Sequence, residues 1–144
     1  MNKISIYLTY AGAIPFIVCA VFLNFDIVQL PLLGYVEKIL SVYGLVISSF
    51  LAGVHWGQHL HINKGLWRCS LATLSNIIAV LLWFGFLVFS FKMLMAMFVA
   101  AFVVLLIIDY RLVHRDFIAR NYFQTRFFVS AIVIISLMIS GIVS

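Results

Sequence analysis

Long apolar segments alternate with short polar segments along the whole chain. A membrane-spanning helix needs about 20 mainly apolar residues, and five segments of the sequence reach that length. The pattern therefore predicts an all-α integral membrane protein with five transmembrane helices in one domain, residues 1–144. The predicted spans are residues 4–24, 39–59, 66–89, 92–112 and 126–143.

The segments between the spans carry signals of their own. Residues 25–38 mix charged with apolar side chains, which predicts a loop lying in the membrane interface. Ser90–Lys92 predicts a tight turn, so spans three and four should form an antiparallel hairpin. Residues 113–125 alternate aromatic with basic and amide side chains, which predicts a short interfacial helix. Pro15 predicts a kink in span one, because proline lacks the N–H of a helical hydrogen bond.

Composition indicates that lipid is the solvent of this chain. Hydrophobic residues make up 66% of the sequence and charged residues only 9%, whereas a soluble domain carries about 25% charged residues. The apolar segments leave no room for a soluble catalytic module. The net charge of +5 is spread over the short polar segments. That distribution favours membrane topology and contact with lipid head groups over a nucleic-acid partner.

The basic residues are distributed unequally between the two sides of the membrane. Five spans place the N-terminus and the C-terminus on opposite sides, and cytoplasmic loops carry the excess of lysine and arginine. The sequence therefore predicts a cytoplasmic N-terminus and a C-terminus outside. On the N-terminal side lie seven basic residues, Lys3, Lys64, Arg68, Arg111, Arg115, Arg120 and Arg126, and on the other side lie two, Lys38 and Lys92.

The second span contains the most informative stretch of the chain, Ser49–Gly57. Ser49, Gly53 and Gly57 recur every four residues on one helix face, the small-xxx-small spacing that permits close packing of helices. His55 lies on roughly the opposite face. Because special residues occupy both faces, we expect this helix to be central and packed on two sides.

Two histidines of the second span are candidate ligands. His55 and His59 have the i, i+4 spacing of two ligands on one helix face, and Trp56 lies beside them. The three residues could bind haem, a metal ion or a quinone. However, zinc sites use three or four ligands, and no glutamate accompanies the pair. We therefore expect no metal site, and the simpler interpretation is that His55 hydrogen-bonds to a neighbouring helix while His59 is solvated.

A cluster of charged residues is predicted near the cytoplasmic face. Asp109 and Arg111 lie at the end of the fourth span and Arg126 opens the fifth, at a depth similar to that of His55. Together these four residues could form a structural ion-pair network, a polar pocket for an anionic head group or a proton site. A charge at the bilayer centre costs about 2.5–3.5 kcal/mol on insertion scales. Nearer the interface the cost is lower, so burial alone does not demand a function.

The sequence lacks the common catalytic patterns. It has no glycine-rich phosphate loop, no HExxH motif and no evident Ser-His-Asp set. This favours a non-enzymatic protein without deciding the question, one that binds membrane lipids, a membrane protein complex or further copies of itself. Two alternatives stay open: a redox or ligand-binding protein with a group held near His55, and a pathway for protons or small solutes through an oligomer.

Three motifs resemble those of a membrane family of unknown function. They are Tyr10–Phe16 in the first span, Ser49–Gly57 in the second, and Tyr122–Ser130 at the entry to the last. The sequence resembles an uncharacterised five-span family that includes bacterial inner-membrane proteins and mitochondrial transmembrane protein 69. The resemblance implies a five-span fold and a bacterial inner or mitochondrial membrane, and it implies no known reaction. Ala52 departs from the pattern, because the family often has glycine at that position.

Overall fold

The computed structural model describes residues 3–32, 34–60, 66–115 and 120–143. Within these ranges, five segments are helical, long and apolar enough to cross a membrane, which confirms the predicted five-span architecture. A helix satisfies its backbone N–H and C=O groups internally, as a lipid environment requires. The helices are α1 (Lys3–Ala11), α2 (Ile14–Asn24), α3 (Val36–His59), α4 (Leu66–Val88), α5 (Phe91–His114) and α6 (Arg120–Val143).

The first span is divided into two helices by a break at Gly12–Ala13. Pro15 occupies the first turn of α2, where its missing N–H leaves no helical bond unmade. The Tyr43 hydroxyl donates a 2.9 Å hydrogen bond to the carbonyl oxygen of Gly12. The break expected from Pro15 is thus present, and α3 supplies a donor to a carbonyl at the break.

Two linkers differ from their predicted form. Residues 25–35 contain a small antiparallel hairpin, in which β1 (Gln29–Leu30) pairs with β2 (Gly34–Tyr35). The interfacial helix predicted over residues 113–125 is wrong in its described part, because α5 runs to His114 and α6 already begins at Arg120. A helix can continue past the apolar layer with polar side chains such as Arg120 and Asn121 exposed, since its backbone bonds are internal.

Helix α5 contacts α3, α4 and α6, and its Phe102 ring meets Phe16 on α2. Helix α3 contacts α2, α4 and α5, whereas α6 contacts α1, α2 and α5. Helices α3 and α6 have almost no direct contact with each other. Large apolar side chains are exposed all round the outside, as expected for a surface that faces lipid. The most deeply buried side chains include Phe16, Leu40, Phe98, Leu105 and Leu137.

The small residues that pack α3 into the bundle are not the ones predicted from the sequence. Gly44, Ser48 and Ala52 are buried, and a Cβ at Gly44 would lie 2.5 Å from the Phe98 ring. This stripe has the same four-residue spacing as the predicted one, but on another face of the helix.

The predicted packing face of Ser49, Gly53 and Gly57 requires correction. Gly53 is exposed, and beyond the adjoining α3 backbone no other described residue lies within 4 Å of a Cβ placed at Gly53 or Gly57. Helix α3 therefore packs through the face that carries His55, and the second face is open in the single chain.

Alanine substitutions at Gly44 and Gly53 test which of the two stripes of small residues packs against the bundle. Gly44→Ala should lower the free energy of unfolding by about 1–3 kcal/mol, the usual effect of overpacking, because the Phe98 ring must move. Gly53→Ala should leave it unchanged or raise it slightly, since alanine favours a helix by up to about 1 kcal/mol over glycine. Thermal unfolding of both variants in detergent is the measurement. Equal melting temperatures for the two would contradict the assignment of the packing face.

Candidate functional site

Three helices contribute one charged or ionisable side chain each to a buried cluster. His55 Nε2 lies 2.9 Å from Asp109 Oδ1, and the guanidinium of Arg126 donates from Nε and Nη2 to Asp109 Oδ2 at 3.2 and 3.1 Å. Asp109 is completely buried, and His55 and Arg126 are nearly so. The His55–Asp109–Arg126 cluster therefore connects α3, α5 and α6 through a single carboxylate.

The hydrogen bonds of the cluster define its charge. His55 Nδ1 lies 3.1 Å from the carbonyl oxygen of Leu51, which can only accept, and on this ground we assign a proton to Nδ1. The 2.9 Å contact of Nε2 with Asp109 holds a second proton, located either on the imidazole or on the carboxyl group. In both arrangements His55 and Asp109 sum to zero, and Arg126 adds one positive charge. The hydrogen-bonded cluster therefore has a net charge of +1.

The remaining predicted site residues lie apart from this cluster. Arg111 is exposed, and the prediction that it joins the network is corrected by helix geometry, because two residues along a helix turn the side chain by about 200°. Trp56 is 46% exposed and points away from the buried face. The His59 backbone ends α3, but its side chain falls outside the described residues.

The cofactor-binding prediction depends on His55. A haem iron or a metal ion needs a free imidazole nitrogen, and both nitrogens of His55 are engaged by Leu51 and Asp109. Among the described residues, no three His, Cys, Asp or Glu side chains converge to hold a metal ion. Ligation by His55 would require one of its two hydrogen bonds to break.

An apolar cleft of about 430 Å³ lies directly beside the cluster. It separates α3 from α6, and α1 and the start of α2 form a further wall. Phe16 and Phe102, whose rings meet edge to face with centroids 6.0 Å apart, form its floor. Leu8 and Phe50 at its rim are more than half exposed. The cleft therefore opens sideways, towards the lipid.

Arg126 belongs to both the cluster and the cleft. Its guanidinium is held by Asp109 and also forms part of the cleft wall, where Tyr122 lies beside it. Sequence reasoning placed Tyr122 in an interfacial segment and missed this role. The relevant signal was the four-residue spacing of Tyr122 and Arg126, which puts both on one face if the helix begins before residue 122. The cleft thus has apolar walls and one polar, positively charged end.

Five apolar spans around a buried ion cluster define an all-α, multi-pass membrane protein. Two comparisons give no match, since no curated protein and no solved structure is detectably similar to the chain. The chain belongs to the family described as "Protein of unknown function (DUF3429)", which matches residues 1–142. The resemblance to a five-span family of unknown function is thereby confirmed.

Proposed function

We propose that this protein is a non-enzymatic inner-membrane protein that holds a lipid molecule in the cleft between α3 and α6. The observation that carries the proposal is the shape and chemistry of the cleft: about 430 Å³, apolar walls, a lateral opening and the buried Arg126 at one end. Ligand pockets generally have volumes of about 300–1,000 Å³ and are mostly apolar with a few placed polar groups. A lipid that enters the cleft from the bilayer has an apolar chain that fits the walls and a polar head group that fits the Arg126 end.

The depth of the cluster supports the same function. His55, Asp109 and Arg126 lie four to six residues from the nearest ends of their helices, which is roughly 6–9 Å at 1.5 Å per residue. That depth suits a head group lying just below the interface. The unequal distribution of lysine and arginine supports a cytoplasmic location for this end, and the inner-membrane location rests on the resemblance to the bacterial family members.

The alternative functions fit the site less well. A haem or metal centre would require His55 to give up one of its hydrogen bonds. A quinone could enter the cleft, but it would place a neutral head group beside a positive charge. A pathway for protons or solutes through an oligomer has less support, because the walls of the cleft are mostly apolar. A protein partner could contact the open Gly53 face, but nothing at that face indicates its chemistry.

Photocrosslinking with a lipid that carries a diazirine in its acyl chain tests the proposal. In proteoliposomes, we expect labelling to concentrate on the cleft residues Leu51, Val129 and Val133. Val54→Trp, which places an indole in the cleft, should reduce this labelling severalfold. Val46→Trp is the matched control, because Val46 lies on α3 but faces lipid, 56% exposed. Uniform labelling around the bundle, unchanged by Val54→Trp, would show that only the surrounding bilayer had been sampled.

A further inference from the structure

We infer that the occupant of the cleft is a singly charged anionic amphiphile, whose head group binds Arg126 and whose chain lies between α3 and α6. This inference rests on the proposed function, since it names the class of lipid that the cleft selects. The shared chemistry is an oxyacid head with one negative charge. It is found in the carboxylate of a free fatty acid and in the phosphodiester of an acidic phospholipid.

The cluster carries one positive charge that is not balanced within it. The carboxylate of Asp109 balances only one of the two positive charges that a protonated His55 and Arg126 carry, and moving the shared proton to Asp109 leaves the sum unchanged. A net charge of +1 in a low-dielectric environment is costly unless it is paired. Neutralising it within this site requires one net negative charge, which neither a zwitterionic nor a neutral lipid supplies.

The polar end of the cleft supplies hydrogen-bond donors. Of the five N–H groups of a guanidinium, two donate to Asp109 and one donates to the Tyr122 hydroxyl, so two remain for other acceptors. The Tyr122 hydroxyl lies beside Arg126 on the same wall. Carboxylates and phosphates accept such donors from arginine in shorter and stronger bonds than neutral acceptors do. The same donors would repel a cationic head.

The guanidinium of Arg126 is held in a fixed position. Arg126 is only 5% exposed, and its two bonds to one Asp109 oxygen prevent the side chain from extending to the membrane surface. Arginines near helix ends normally extend towards the interface to hydrate their charge. Here the charge is held beside an apolar cleft, so an anionic head must come to it.

Three ligands with the same chain and different head charges test the inference. Oleate, oleyl alcohol and oleylamine would be titrated into the protein in nanodiscs of zwitterionic phospholipid, with bound ligand counted by native mass spectrometry. We expect oleate to bind at least tenfold more tightly than the alcohol, which corresponds to about 1.4 kcal/mol, and the amine to show no specific binding. A further arm with an acidic phospholipid in place of oleate distinguishes the two sources of the anion.

The outcomes separate this inference from the proposed function. Equal binding of oleate and oleyl alcohol, both reduced by Val54→Trp, would overturn the anionic selectivity and leave the lipid cleft in place. No binding of any ligand, or binding that Val54→Trp does not alter, would overturn both. Tighter binding of the amine would overturn the charge assignment of the cluster.

Substitution of Arg126 tests the same inference from the side of the protein. Arg126→Gln should remove the preference for oleate over the alcohol, and Arg126→Lys should retain part of it through a single, less well-directed charge. Thermal unfolding would identify a variant that has lost its fold. Should Arg126→Gln fail to fold, Tyr122→Phe takes its place: it leaves the ion pairs intact and should weaken oleate more than the alcohol. An unchanged ratio in the folded variants would contradict the role of this polar end.

Discussion

Replacing Asp109 with alanine is expected to lower the free energy of unfolding by about 3–5 kcal/mol, the typical effect of removing one partner of a buried ion pair. Asp109 is completely buried, shares a proton with His55 on α3 and accepts two hydrogen bonds from Arg126 on α6. Without it, Arg126 retains its charge among apolar side chains, and His55 loses the partner of Nε2. Unfolding followed by circular dichroism during titration of a mild detergent with SDS is the measurement.

Two further variants control this prediction. Arg111→Ala removes a charge two residues away on the exposed side of α5 and should change stability by less than about 0.5 kcal/mol. The double variant Asp109→Leu with Arg126→Leu removes both charges and should be more stable than Asp109→Leu alone, because replacing a whole buried pair is tolerated better than breaking it. If Asp109→Ala were as stable as Arg111→Ala, the cluster would not hold the helices together.

Phe16→Ala should produce the second largest loss of stability, about 3 kcal/mol, at the low end of the range for buried aromatic residues. The ring is fully buried and meets Tyr43 at 5.1 Å and Phe102 at 6.0 Å between centroids, so it joins α2 to α3 and α5. We take the low end because helices in lipid gain packing contacts without a hydrophobic driving force. Thermal unfolding in detergent measures the effect.

The matched control is Phe128→Ala on α6. Phe128 is 57% exposed on the lipid-facing surface, so its removal takes away the same ring with few packing contacts. We expect its melting temperature to stay within a few degrees of the wild type. Phe16→Ala also enlarges the floor of the cleft, and it should therefore weaken the retention of a bound lipid, whereas Phe128→Ala should not. Comparable destabilisation by both substitutions would indicate that Phe16 does not anchor the bundle.

The number of spans could be predicted from the sequence because it depends on a local property. Each span is an apolar segment of membrane length, and lipid permits such a segment few structures other than a helix. The ends of the spans were harder to predict. Arg120 and Asn121 begin α6 although they are polar, since a helix does not have to end where the apolar layer ends. The break at Gly12–Ala13 was foreseeable from Pro15, but the hydrogen bond from Tyr43 depends on tertiary structure.

The packing face of α3 could not be chosen from spacing alone. Gly44-Ser48-Ala52 and Ser49-Gly53-Gly57 both repeat small residues every four positions, and either could face the bundle. The deciding feature is His55. It lies seven residues after Ser48, two helical turns on the same face, and a polar side chain in a membrane turns towards protein. A prediction that gave the polar His55 side chain more weight than the glycine spacing would have selected the buried stripe Gly44-Ser48-Ala52.

The predicted membrane depth placed His55, Asp109 and Arg126 at one level of the bundle. Depth alone could not tell which of two arginines pairs with Asp109. Arg111 and Arg126 lie at the same end of the bundle, and only the helical angle excludes Arg111, which faces away from Asp109 on the same helix. The cleft was not predictable at all. It lies where the first span is divided into α1 and α2 and where α3 and α6 have almost no direct contact, two features that arise from the packing of distant segments.

Native mass spectrometry of the protein released from mild detergent tests the central claim most directly. The claim is that a positively charged ion cluster and an apolar cleft together form a site for one anionic lipid. The expected spectrum shows one bound amphiphile per chain, identified on release as a singly charged acid, in the wild type and in Val46→Trp, and none in Val54→Trp. A wild-type spectrum with no bound lipid, or the same bound population in Val54→Trp, would contradict the claim.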